Sequence, residues 1–255
     1  MRHLDLFTGI GGFALAASWV WGDEYELIAC CENDKFCQQV IRKHYPDVPI
    51  VEDIHDLKYD YHEGLSNIDL ITGGDPCQPN SVAGKQRGQQ DDRWLWPAFK
   101  RVVQAFGPAW IIRENVINSK NMDADIVCSD LEALGYETQA FDIPSCSCDL
   151  PTLERHLWII AASTDNGLQR NSKKRIQGQQ VSELQRRKVF TSVEGFEREW
   201  YLSASRLLRS RKGFPDFVHR IRALANAVPP PVVVPIMQAI KIEMDTETAL
   251  TEKEG

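Results

Sequence analysis

Cys77 lies in Gly73-Gly74-Asp75-Pro76-Cys77-Gln78-Pro79-Asn80-Ser81, a run of small, turn-forming and polar residues. A lone cysteine is more often a small buried apolar residue than a nucleophile, but buried cysteines rarely keep such company, and a loop thiol is free to attack carbon. The loop runs on through Gly84-Lys85-Gln86-Arg87-Gly88, which suits either a plain surface loop or a segment closing over a phosphate backbone. Glu114 follows the apolar Trp110-Ile111-Ile112, so its carboxyl either caps the next helix or meets the thiol at one sheet edge. A third group of residues suits a ligand. Asp5-Leu6-Phe7-Thr8-Gly9-Ile10-Gly11-Gly12-Phe13 reads as strand, glycine turn and helix start, where missing side chains let a ligand approach the backbone. Alone it fits an ordinary tight turn, since it is not the spaced dinucleotide pattern. Glu32 stands about 20 residues on, at the end of a second strand, where an acid binds ribose hydroxyls in such folds. Asp53-Ile54 suits an adenine ring, with a polar group for the amino edge and an aliphatic side chain for the face. Together these residues imply an adenosine-containing ligand.

The elements that must position these groups alternate between short β-like runs and helical stretches. Strands are expected at His3 to Phe7, Glu26 to Cys31, Ile68 to Thr72, Trp110 to Arg113 and His156 to Ala161. Helical spacing of apolar residues marks Phe13 to Trp21, Lys35 to His44, Leu95 to Phe106 and Asp125 to Leu134. That alternation predicts a doubly wound α/β domain with a mostly parallel sheet, whose ligands sit at the carboxyl ends of the strands. Cys77 would then lie in a loop at that edge. After Ala162 the sequence turns rich in Gln, Ser, Lys and Arg, which places a boundary near Ser163. Behind Pro229-Pro230-Pro231, Val232, Ile236 and Ile240 fall at i, i+4, i+8, so a helix returns to the first core near Ala225. From Asp245 the tail is polar and acidic, and fraying is expected there.

The chain has 255 residues, enough for one substantial core and a small insert. No apolar stretch reads as a signal peptide or a membrane span, so a cytoplasmic protein without a membrane partner is expected. Seven cysteines, two of them adjacent at Cys30-Cys31, point to reduced thiols rather than a disulfide framework. Cys146-x-Cys148 lacks nearby further ligands for zinc, so no metal is expected. Net charge is −7, which argues weakly against a nucleic-acid partner. Its distribution argues otherwise: residues 163–222 hold 14 Lys or Arg against 6 Asp or Glu, leaving about −15 on the remainder. Such an insert is either a solvated face or a phosphate-binding one.

In their order and spacing these motifs resemble those of the C5-cytosine-specific DNA methyltransferase family, from Phe7-x-Gly9-x-Gly11-Gly12 through Pro76-Cys77-Gln78 and Glu114-Asn115-Val116 to Asn226-Ala227-Val228-Pro229. The resemblance implies a Rossmann-like, S-adenosylmethionine-dependent methyltransferase sheet with a small inserted target-recognition region. It implies a catalytic and cofactor-binding domain over 1–162, the recognition region over 163–216, a C-terminal return over 217–244 and a polar tail over 245–255. Phe7, Gly9, Gly11, Glu32, Asp53, Ile54, Leu95, Asn226 and Val228 would bind S-adenosylmethionine, leaving S-adenosylhomocysteine as product. Gln78, Ser81, Arg87 and Arg93 would contact double-stranded DNA, with a restriction endonuclease as a companion and the enzyme itself a monomer.

The implied chemistry starts from the poor nucleophilicity of cytosine carbon 5. Adding the Cys77 thiolate at carbon 6 creates an enamine able to attack a sulfonium methyl, and a protonated Glu114 relieves charge at nitrogen 3. The base must first leave the stack, at a cost of a few kcal/mol. One segment departs from the family. Where it carries Gln-x-Arg-x-Arg, this chain reads Thr152-x-Glu154-x-His156 within Pro151-Thr152-Leu153-Glu154-Arg155-His156, so both arginine positions are changed, and Arg155 and His156 are the candidates to take over their role. Ala225 also stands where the family has Gly. Two alternatives follow: a DNA-binding homologue with weak or no turnover, and an RNA-directed cytosine methyltransferase of the same fold.

Overall fold

The computed structural model describes residues 1–57, 67–75, 94–116, 122–144, 155–164, 223 and 226–254. Its strands are β1 (Arg2–Leu6), β2 (Glu26–Cys31), β3 (Ile50–Val51), β4 (Leu70–Gly74), β5 (Trp110–Val116), β6 (Tyr136–Pro144) and β7 (Arg155–Ser163). The helices are α1 (Gly12–Trp21), α2 (Lys35–His44), α3 (Trp96–Phe106), α4 (Met122–Glu132) and α5 (Pro230–Glu254). One sheet runs in the order β3-β2-β1-β4-β5-β7-β6. Strands β1 to β5 pair in parallel, whereas β7 lies antiparallel to both β5 and β6. The expected doubly wound α/β sheet is therefore present.

Strand order reverses between β1 and β4, and a crevice opens outside the carboxyl ends of strands at such a switch point. The glycine loop leaves β1 there, and the chain toward Cys77 leaves β4 beside it. Alternation along β5 divides its side chains between two cores. Ile111 packs with Trp96, Phe99 and Val102 of α3 and with Val127 and Leu131 of α4. Trp110 and Ile112 face α1 and α5, together with Trp158 of β7. Residues adjacent in β5 thus serve opposite layers.

Helix α5 buries Val232, Ile236 and Ile240 at the spacing read from sequence, adds Val233 and Met237, and packs against α1. Its helical backbone continues past Asp245 to Glu254. Glu, Ala, Leu and Lys propagate helix well, and Lys241 bridges both to Glu24 at 3.0 Å and to Asp245 one turn on at 3.8 Å. Two strands escaped the sequence. β3 is two residues long, and β6 is an edge strand in which most side chains are exposed or half-buried, so neither offers an apolar run. Among the described residues no helix is long and apolar enough to cross a membrane.

Candidate active site

The loop after β1 takes backbone shapes that side chains resist. Phe7, Gly9 and Gly11 have φ of 52°, 57° and 90°, in the left-handed region, which glycine enters freely and phenylalanine does not. A bulky residue held there marks stored strain of the kind found at binding sites. The loop is tied down by Thr8, whose amide donates to Cys31 O at 3.1 Å and whose hydroxyl donates to Asp5 O at 2.8 Å. Gly9 N then donates to Glu32 Oε2 at 2.6 Å, while Asp34 N donates to Glu32 Oε1 at 2.7 Å. Burial raises the Glu32 pKa despite those two amides. Glu32 N donates to Val51 O at 2.9 Å, so Glu32 and the Asp53-Ile54 turn end neighbouring strands. Asp53 caps its own turn by accepting from His55 N at 2.8 Å, and that bond first, then the His55 side chain, lowers its pKa. The Ile54 side chain is buried in the core facing α3.

Gly12 and Gly74 show how closely the loops approach. A Cβ on Gly12 would stand 2.2 Å from Val228 O, and one on Gly74 would stand 2.8 Å from Glu114 Oε2 and 3.5 Å from Val228 Cγ2. Only glycine lets the glycine loop, the end of β4, Glu114 and Val228 meet. Neither glycine was singled out in the sequence, although both stand in its motifs. Their signal is steric and appears only once the partners are in place.

Glu114 pairs with Trp158 across β5 and β7, and His156 pairs with Val116, which makes Glu114 and His156 diagonal neighbours on one face. His156 Nδ1 lies 2.5 Å from Glu114 Oε1, with side-chain exposures of 13% and 11%. The site at position 156 is thus filled by an imidazole bound to the carboxylate. Arg155 pairs with Pro144 on the other side of β7. Leu95 caps the start of α3, its carbonyl accepting from Phe99 N at 3.0 Å, and Asn226 lies exposed in the turn before Val228.

Cys77, Gln78, Ser81, Arg87 and Arg93 lie outside the described residues, as do Glu154, Ala225, the Cys146-x-Cys148 pair and the basic stretch 165–222. Cys30 and Cys31 are buried free thiols, and Cys37 is buried as well. Burial, then the nearby carboxylates, pushes Cys31 up to about 12, so it is a poor nucleophile.

Residues 1–208 match a family model described as C-5 cytosine-specific DNA methylase. The Type II methyltransferase M.DdeI of Desulfomicrobium norvegicum is 30% identical over 178 residues, which are 66% of this chain and 42% of that protein. M.HhaI of Haemophilus parahaemolyticus is 27% identical over 174 residues, 66% of this chain and 51% of its own length. The chain thus spans about half or less of these curated relatives. Among solved structures, a mutant of Spodoptera frugiperda DNMT2 superposes with a TM-score of 0.54 at 20% identity, covering 68% of this chain and 53% of that one. The Dnmt2 methyltransferase of S. pombe gives 0.53 at 19%, with 66% and 52% covered. At these identities the structures speak to the fold alone.

Proposed function

Since the chain belongs to the C-5 cytosine-specific DNA methylase family, we propose that it methylates carbon 5 of a cytosine flipped out of a specific duplex DNA sequence, through a covalent adduct with Cys77. The observation that carries this is the meeting of three elements at one sheet edge. Glu114 touches the close-approach glycine at the end of β4, three residues before Cys77, and Val228 joins that point to the glycine loop.

The residues present fit S-adenosylmethionine. The positive-φ backbone at Phe7, Gly9 and Gly11 leaves room for a ligand against the loop, and Glu32 is held by the Gly9 amide where ribose hydroxyls would meet it. Asp53 and Ile54 would flank the adenine, and Leu95, Asn226 and Val228 would complete the pocket. When bound, the cofactor supplies an electrophilic methyl on a sulfonium. Cys77 gives the electron pair that forms the sulfur–carbon 6 bond, which moves electron density onto carbon 5 and the nitrogen 3 side of the ring. Glu114 answers that charge with a proton or hydrogen bond at nitrogen 3. His156, against the far carboxyl oxygen, orients Glu114 and completes a path along which a proton can be shared. Loss of the carbon 5 proton then expels the Cys77 thiolate and restores aromaticity. Gln78, Ser81, Arg87 and Arg93 would hold the DNA, and the basic residues of 163–216 would read the target. The enzyme would act as a cytoplasmic monomer, alone or beside a restriction endonuclease.

Transfer of labelled methyl to duplex DNA and to transfer RNA, run side by side, tests this. Incorporation into DNA is expected, and incorporation into RNA alone would replace the substrate. Cofactor binding with no incorporation into either would favour the inactive DNA-binding homologue.

A further inference from the structure

We propose that Arg113 is a positioning residue for methyl transfer: it clamps Asp75 and so aims the chain that reaches Cys77 two residues later. This rests on Cys77 being the nucleophile. Arg113 Nη2 donates to Asp75 Oδ2 at 2.7 Å, and Nε lies 2.7 Å from Oδ1, close enough for an ion pair but not aligned for a second hydrogen bond. The two side chains are only 1% and 3% exposed. The guanidinium stacks 5.5 Å from the centre of the Trp96 ring, whose Nε1 donates to Asp130 Oδ2 at 2.8 Å. Lys100 holds the other Asp130 oxygen at 2.7 Å, so the platform beneath the guanidinium is itself fixed.

The parallel register of β4 and β5 ends at Gly74 opposite Glu114. Asp75 is the first residue beyond that ladder, and the clamp with the Asn115 Nδ2 contact to Asp75 O at 3.5 Å carries order one residue further. Stability alone explains this poorly, because a buried ion pair is often no better than apolar side chains of similar volume. A planar guanidinium hydrogen-bonded to a carboxylate and stacked on an indole instead fixes direction. Arg113 and Glu114 are consecutive in β5 and serve opposite faces, so one strand sets both the carboxyl and the approach of the thiol chain.

The test uses the full chain with Arg113→Lys, which keeps the charge and loses the planar guanidinium, and the double variant Arg113→Met with Asp75→Asn, which leaves no buried charge unpaired. The substrate probe is unmethylated genomic DNA with labelled S-adenosylmethionine. The expected result is kcat lower by about 100-fold in the double variant, the scale of a misplacement near 1 Å, with cofactor Kd and DNA KM changed by less than about threefold. Alkylation of Cys77 by iodoacetamide should change rate in parallel with kcat. Arg113→Lys should fall between the double variant and the native chain. Native kcat in the double variant overturns the proposal, and so does failure of that variant to fold, which would make the pair a stability element. Cys77→Ala separates the two claims: retained transfer there removes the nucleophile and the clamp with it, whereas lost transfer there with native kcat in the double variant removes only the clamp.

Discussion

Two acid–base pairs flank β5, and they differ in the one respect that matters for chemistry. Arg113–Asp75 faces α3, is almost wholly buried and contains a base that does not give up its proton. Glu114–His156 faces α1 and α5, keeps side-chain exposures of 11% and 13%, and joins two groups that both exchange protons. On the proposed mechanism, a strand alternating between two layers would hold geometry with one residue and serve the chemistry with the next. The difference separates the cost of building the site from the work done in it.

Removing the acid breaks the comparison on its active side. Glu114→Gln keeps the shape and loses the exchangeable proton, and kcat should fall by about 10²–10⁴-fold with cofactor Kd unchanged, as labelled transfer and calorimetry would read. Gly74→Ala acts on the same carboxylate by sterics. Its Cβ, 2.8 Å from Glu114 Oε2, must displace the carboxyl from its place beside β4 and disturb its contact with His156, and a loss of about 100-fold in kcat with a folded circular-dichroism spectrum is expected. His156→Asn keeps a donor without the ability to exchange its proton and should cost about tenfold in kcat, measured at saturating DNA.

A third set sharpens the contrast by being purely structural. Beneath α1, Thr72 donates to Asp5 Oδ1 at 2.6 Å, so its oxygen accepts from His3 Nε2 at 2.7 Å, and His3 Nδ1 accepts from the Tyr25 hydroxyl at 2.8 Å. Burial lowers His3 from 6.5 to about 3. Burial first, then the Glu32 charge, raises Asp5 from 3.8 to about 7 against the Thr72 bond. Between about pH 4 and 6.5 the unfolded chain carries its proton on His3 and the folded chain on Asp5, so the counts match and the pair leaves stability flat. Asp5→Asn exposes the histidine alone. Its stability should then fall as pH drops below about 6.5, by up to ~1.4 kcal/mol per unit, in urea titrations. His3→Gln exposes the acid alone, and stability should fall as pH rises from about 4 to 7.

The sequence held the loops, the parallel sheet and the returning helix because each is written in glycine turns or apolar spacing. Glu32 could be placed by its distance from the glycine loop, and Gly9 proved to be its partner. Arg113 could not be read, since its partner is 38 residues away and only the β4–β5 register brings them together. His156 looked like a lost arginine. Its contact with Glu114 follows from the antiparallel pairing of β5 and β7, and spacing along the chain carries no trace of that pairing. Strand β6 was missed because an edge strand needs no apolar run.

The covalent adduct with Cys77 is the centre of this account, and trapping it is the most direct test. A PCR product with 5-fluorocytosine at every cytosine contains the target whatever its sequence, and fluorine at carbon 5 cannot leave as the proton does after methyl transfer. With S-adenosylmethionine present, the native chain should form a denaturation-resistant complex whose cross-linked peptide carries the base on Cys77, and Cys77→Ala should form none. An equal yield of complex from Cys77→Ala, or a cross-link mapped to another residue, would contradict the account.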